Sequence, residues 1–204
     1  MTDYKIIADD TAIETAKTAL EANNFKVTVV ADAAAAKETV LAKLPKGSEV
    51  LTVTSETLKT TGIAAAINES GDYDAVMPKL MVLMGDPSKK QEQRKIGAAP
   101  EYVIGSVHAL TQDGHAIIAS NTGSQLPAYA YGAGHVIWVV GAQKIVTDLA
   151  DAEQRLSQHV LPLEDVRAQE AYGIHTAVNK KLVFNKEVAP DRVEIVIVKE
   201  VLGF

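Results

Sequence analysis

A chain of 204 residues with 47 % hydrophobic and 23 % charged side chains can bury a sizeable core without staples and has the balance of a globular protein. It contains no cysteine, which excludes disulfides, thiolate zinc sites, a cysteine nucleophile and a conventional iron–sulfur cluster on this chain. The net charge of −6 gives no broad attraction to nucleic acid or to anionic membranes. The start of the chain, "MTDYKIIADDTAIE", is acidic and lacks the apolar core of a signal peptide, and no stretch approaches the roughly 18 apolar residues of a membrane span. The expectation is one compact domain over residues 1–204, in the cytoplasm.

"DDTAIETAKTALEANNF" reads as a helix, with capping-box spacing at Thr11 and Glu14 and with Ile13, Ala16 and Leu20 on one face. The β-branched run "FKVTVVAD" predicts a strand, and an Ala-rich helix follows from about Asp32 to Leu44. "SEVLTVTS" is a second strand and runs straight into a helix over "SETLKTTGIAAAIN". Strands alternating with helices predict a parallel sheet, and their nearly continuous apolar character fits strands covered on both faces. "MPKLMVLMGDPSKKQEQRKIGAAP" reads as an apolar turn and then a helix, whose basic cluster Lys89–Lys95 forms a solvated face. In "EYVIGSVHALTQDGHAIIAS" two strands turn at Gln112-Asp113-Gly114, a hairpin that makes the sheet mixed. "HVIWVVG" is the strand expected at the centre, with Val136, Trp138 and Val140 on one face and Ile137 and Val139 on the other. "DLADAEQRLSQHV" is an amphipathic helix through Leu149, Ala152, Leu156 and Val160, interrupted at Pro162, and "LEDVRAQEAYG" is another, ended by Gly173. "KKLVFNKE" and "DRVEIVIVKEVLG" read as a final strand pair around Ala189-Pro190.

Chemistry is expected where strands end. "SNTGSQ" (Ser120 to Gln125) follows one strand and precedes a predicted helix, a junction that aims backbone N–H groups and a helix dipole at one spot. Gly123 lets a ligand approach, and Thr122 and Ser124 add hydroxyls; the plainer alternative is a capped helix start with Gly123 making the turn. "TVTSETL" (Thr52 to Leu58) is a second junction, with Thr54 or Ser55 as cap, Thr57 beside it, and Glu56 as either a catalytic carboxylate or a residue that complements the helix dipole. Gln143 and Lys144 follow the central strand, where the lysine either holds an anion or is solvated in a loop. Asn179 and Lys180 lie in a polar loop before a strand and could order a ligand or cap a helix.

Other chemistries lack their patterns. "GAG" (Gly132 to Gly134) precedes its strand, the wrong order for a dinucleotide fingerprint, and no Walker A or G-x-S-x-G pattern occurs. None of the five histidines, at 108, 115, 135, 159 and 175, has the spacing of a strong metal site. Neither a metal nor a cofactor is expected.

In their order, "SETL…GI", "HALTQDGHAIIAS", "HVIWVVGAQKIVTDLADAEQRL", "HVLPLEDVRAQEAYGIHTAVNKKLVFNKE" and "VKEVLGF" resemble the LUD (lactate utilisation) domain family of the LutC/YkgG type, most specifically from Glu101 onward. The resemblance implies a Rossmann-like, largely parallel but mixed α/β sheet similar to the NagB/RpiA/CoA-transferase superfamily, with a ligand site at strand ends. It also implies work beside an iron–sulfur oxidoreductase partner, since this cysteine-free chain holds no such cluster. Three readings follow: a subunit supporting the use of lactate or a related small organic acid, a stand-alone enzyme on a phosphorylated or carboxylate metabolite through Glu56 and Lys144, or a metabolite-sensing module. All three take a small anionic metabolite and need neither nucleic acid nor membrane. A homo-oligomer is the common habit of soluble proteins. The spatial expectation is that Ser55, Glu56, Thr57, Thr122, Gly123, Ser124 and Lys144 meet at one edge of the sheet.

Overall fold

The structure, a computed structural model, describes residues 2–204. Its helices are α1 (Asp10–Ala22), α2 (Ala33–Leu41), α3 (Glu56–Thr60), α4 (Ile63–Asn68), α5 (Val76–Leu83), α6 (Lys90–Ala98), α7 (Leu149–Arg155) and α8 (Leu161–Tyr172). Its strands are β1 (Lys26–Val30), β2 (Glu49–Thr52), β3 (Asp74–Ala75), β4 (Tyr102–Gly105), β5 (Ala109–Thr111), β6 (Ala116–Ser120), β7 (His135–Gly141), β8 (Ile145–Val146), β9 (Lys180–Phe184) and β10 (Val193–Val198).

Six strands form a wholly parallel, Rossmann-like sheet in the order β1-β10-β7-β4-β2-β3. β7 lies inside it, paired with β10 and β4. Its alternation divides the core as expected from period two: Val136, Trp138 and Val140 join one cluster, while Ile137 and Val139 join the other. α1 adds Ile13 and Leu20 to the first cluster, and α2 and α4 add Val40, Ile63 and Ile67 to the second. Both faces of the sheet are thus covered, which is why its strands are nearly continuously apolar.

The hairpin turns at Gly114, whose φ is +92°, but it belongs to a second sheet of order β8-β5-β6-β9. That sheet carries the mixed pairing: β5 runs antiparallel to β6 and parallel to β8, and β6 runs antiparallel to β9. Its inner residues Leu110, Ala116, Ile118 and Phe184 share the core of Trp138. Its outer residues Ala109, Ile117 and Ala119 pack with Ala152, Leu156 and Val160. The small sheet is therefore a layer between the parallel sheet and the helix that begins at α7.

Several local expectations are corrected. Asp9, not Thr11, caps α1, accepting from Ala12 N–H at 2.8 Å. "MPKLMVL" is helical as α5, because Val76 and Leu80 bury one helical face. Gly62 (φ +68°) divides "SETLKTTGIAAAIN" into α3 and α4. Pro162 does not interrupt its helix: α7 passes through a π turn, Leu156–Val160, and Pro162 then stands in the first turn of α8, where a missing N–H is tolerated. β9 and β10 do not pair; they lie in different sheets. No helix among the described residues is long and apolar enough to cross a membrane.

Candidate functional site

Parallel strands deliver their C-terminal ends to one edge of a sheet. β2 ends there before Ser55–Thr57, β4 before Ser106–His108, and β7 before the 3₁₀ turn Ala142–Lys144. The end of β6 brings in Ser120 to Gln125 from the small sheet. These segments line one cavity of about 750 Å³, closed on other sides by α6, by the turn from the π segment into α8, and by Gly203 and Phe204. Ser55, Glu56, Thr57, Thr122, Gly123, Ser124 and Lys144 all lie on its wall.

Lys144 is the central group. It is 3 % exposed, and its Nζ donates to Thr57 Oγ1 (3.1 Å), Ser106 Oγ (3.2 Å) and the Val107 carbonyl (3.4 Å). All three acceptors are neutral. Burial, and then the positive charge of Arg155, pull its pKa from 10.5 down to about 7. The solvated-loop alternative for Lys144 does not apply. Thr57 is held in turn by donating to the Leu202 carbonyl at 3.1 Å. Gly203 passes so close that a Cβ there would sit 2.6 Å from Thr57 Oγ1, which places the segment Leu202–Phe204 against the lysine.

His108 faces the same cavity. Its Nδ1 accepts the Ala119 N–H at 3.1 Å, so a neutral ring carries its proton on Nε2. Burial, with Lys144 and Arg155 adding to it, lowers its pKa from 6.5 to about 3 and keeps the ring neutral. Behind the wall stands Arg155, 0 % exposed, with no hydrogen-bond partner for Nε, Nη1 or Nη2. Its guanidinium lies 5.8 Å from the centre of the Tyr4 ring.

The two predicted junctions meet, but with different parts. Ser55 caps α3, its Oγ accepting from Leu58 N–H at 3.4 Å, and Glu56 pairs with Lys59 at 3.6 Å. The Thr122–Ser124 turn leads only to a single π turn, Ala128–Gly132, so no long helix aims its dipole at the cavity. Gly123 N–H already donates to Ser120 Oγ (2.8 Å), and Ser124 N–H to Thr122 Oγ1 (3.4 Å). Gly123 has φ +85°, and a Cβ there would meet Lys180 Cδ at 2.6 Å. The glycine turns the chain on the cavity wall and leaves room for the Lys180 stem. Lys180 and Asn179 do not line the cavity. Asn179 braces the turn instead, donating to Asn121 Oδ1 at 2.6 Å.

Ser106, His108 and Arg155 are not among the residues expected from sequence. Ser106 follows strand "YVIG" directly, so the strand-end rule that selects Ser55 and Lys144 also selects it. Arg155 carries no such signal, because an arginine on an amphipathic helix reads as a surface residue. Among the described residues no three His, Asp or Glu side chains are grouped to hold a metal ion.

The lysine makes stability depend on pH. The folded state releases the Lys144 proton near pH 7, whereas the unfolded chain holds it to about 10.5. Between those values the unfolded state binds more protons, so stability rises with pH; below about 7 the full penalty of the buried charge applies. His108 contributes only below its ordinary 6.5, and Tyr4, raised to about 12 by burial and by Asp151, acts only in strong alkali. The urea midpoint of the wild type is expected to climb between about pH 7 and about pH 9, and Lys144→Met to flatten most of that climb. An equal climb in the variant would show that Lys144 is not its source.

These features define an α/β protein with a polar-based cavity at the ends of its parallel strands. Residues 13–198 match the family model of the LUD domain, and the chain belongs to that family. A solved structure with similar architecture is a DUF162 family protein from Deinococcus radiodurans, with a TM-score of 0.55 and 13 % identity over 95 % of this chain and 99 % of that one. Identity so low supports the shared fold alone. Comparison with curated proteins gives no match.

Proposed function

We propose that the chain acts as one LUD unit that binds a small organic anion, of the lactate or related carboxylate type, in support of organic-acid utilisation. The observation that carries this reading is Lys144: a buried amine on the cavity wall whose hydrogen-bond partners are all neutral. A lysine kept as a structural cation is normally paired with a carboxylate when buried. Here the cavity is the route by which a negative group reaches it. Ser106, Thr57 and the His108 Nε2–H supply the surrounding hydrogen-bonding groups, and Arg94 adds a cation to the wall. Redox chemistry by an iron–sulfur cluster would belong to a partner, since this chain has no cysteine. Co-purification with a cysteine-rich protein from the native host tests that part.

The binding test is thermal shift with a panel of lactate, pyruvate, a sugar phosphate and inorganic phosphate. A ligand at 100 times its Kd is expected to stabilise the wild type by about 2.7 kcal/mol, and Lys144→Met to lose the shift. No response to any member of the panel, or an undiminished response in Lys144→Met, would end the reading. The enzymatic alternative, an isomerase- or transferase-like activity, is supported by Glu56 on the same wall. Its test is whether Glu56→Gln abolishes turnover of a panel member while leaving its binding intact.

A further inference from the structure

We infer that Lys144 is an amine nucleophile that condenses with the carbonyl carbon of a small 2-oxo acid in this cavity. This deepens the anion-binding reading and rests on it. Three observations support it independently of any titration. First, Nζ reaches the cavity wall from a 3₁₀ turn anchored on the central strand, so its position is fixed by the rigid part of the fold. Secondly, its neighbours are two hydroxyls and one carbonyl, so no carboxylate holds it as an ammonium. Thirdly, Arg155 is fully buried and no hydrogen bond neutralises its guanidinium, so its positive field persists inside the protein. A dry site and a neighbouring cation both favour the free amine, the two devices by which proteins activate a lysine. The lowered pKa agrees with that geometry.

The hydrogen bonds leave the lysine without a counter-charge. Thr57 commits its own proton to the Leu202 carbonyl and Ser106 directs its own at the Val107 carbonyl (3.3 Å), so both hydroxyls, like that carbonyl, offer Lys144 lone pairs and none carries a negative charge. Ser106 lies 3.2 Å from Nζ on the cavity wall. Its hydroxyl can rotate to exchange a proton with the amine or with an oxygen formed beside it.

The chemistry balances without an oxidant or reductant. The nitrogen lone pair forms a bond to the carbonyl carbon while the C=O π pair moves onto oxygen. That oxygen takes up the proton the nitrogen gives away, yielding a carbinolamine. Loss of its hydroxyl, with the second nitrogen proton, as one water leaves a C=N bond between Lys144 and the acid. A hydroxy acid lacks the carbonyl and cannot take this path, so the same cavity would hold the two acids differently.

The test is reductive trapping. Wild-type protein is incubated with pyruvate or glyoxylate and cyanoborohydride, then digested and mapped by mass spectrometry. Lactate serves as the carbonyl-free control. The expected result is one adduct per chain on the Lys144 peptide, favoured about 10-fold or more over any other lysine because the others are mostly protonated near neutrality. Trapping by the wild type is expected to follow pH with a midpoint near 7. Arg155→Met is expected to move the midpoint upward, a change that loss of packing alone would not cause. Lys144→Arg keeps the charge and removes the nucleophile, and mapping the wild type decides the matter even if that variant folds poorly. Labelling that is absent from Lys144, or spread evenly over surface lysines, overturns the nucleophile. If pyruvate still raises the melting temperature in that case, the anion-binding reading survives; if no panel member does, both fall.

Discussion

Replacing Trp138 with alanine is expected to lower folding stability by about 3–5 kcal/mol, read as a shift of the urea midpoint at constant slope. Trp138 is 0 % exposed and sits on a strand paired on both sides within the parallel sheet. Its ring meets Phe184 (5.1 Å) and Tyr129 (5.5 Å) edge to face, and Phe25 at 6.2 Å. Those three come from the small sheet, the π turn and the approach to β1. The void left by alanine would have walls from all of them, and β7 cannot move inward to fill it while bonded on both sides. Trp138 Nε1 has no hydrogen-bond partner. Trp138→Phe removes that unpaired donor and keeps an aromatic ring, so its loss is expected to be smaller. An alanine variant that loses less than about 1 kcal/mol, or a phenylalanine variant that loses as much as alanine, would contradict this account of the core.

Arg155→Met is expected to act in the opposite direction, raising stability by about 1–4 kcal/mol. A buried cation without a hydrogen-bond partner is desolvated, and burial pulls its pKa down to about 10 against the opposing pull of Tyr4 and Asp151. Methionine keeps much of the buried aliphatic stem while removing the charge. It also removes a cation that acts on Lys144 and His108, which relieves both. Stabilisation together with slower trapping at Lys144 would make Arg155 a residue kept for function at the expense of the fold. A variant destabilised by several kcal/mol would instead mean that Arg155 supports the structure through contacts of its own.

The parallel sheet was legible because its strands are nearly continuously apolar and the first of them alternate with helices. The two faces of β7 followed from its period of two. The second sheet was not legible: Asp113-Gly114 announces a hairpin, but nothing local says which sheet it joins. The same gap explains why "KKLVFNKE" and "DRVEIVIVKEV" read as partners, since strands close in sequence usually are neighbours. At the site, strand ends marked Ser55, Glu56, Thr57 and Lys144 correctly as a group that meets. That Gly123 also leaves room for the Lys180 stem was not legible, because a glycine beside a ligand and one beside a lysine stem look alike in sequence. The depth of Lys144 depends on three segments remote from it, and no local pattern records that.

One pairing in the parallel sheet bears on how the chain is made. Within these residues β1 is made well before β10, the strand it pairs with in the sheet. Until then β1 and α1 have each other but no sheet to join, and β7 has one open edge. The sheet therefore closes by inserting a later strand between two earlier ones, a non-local step that waits until β10 has been made. Through that interval the strand edges of β1 and β7 that β10 will join stand unpaired, a kinetic hazard that the finished sheet no longer shows.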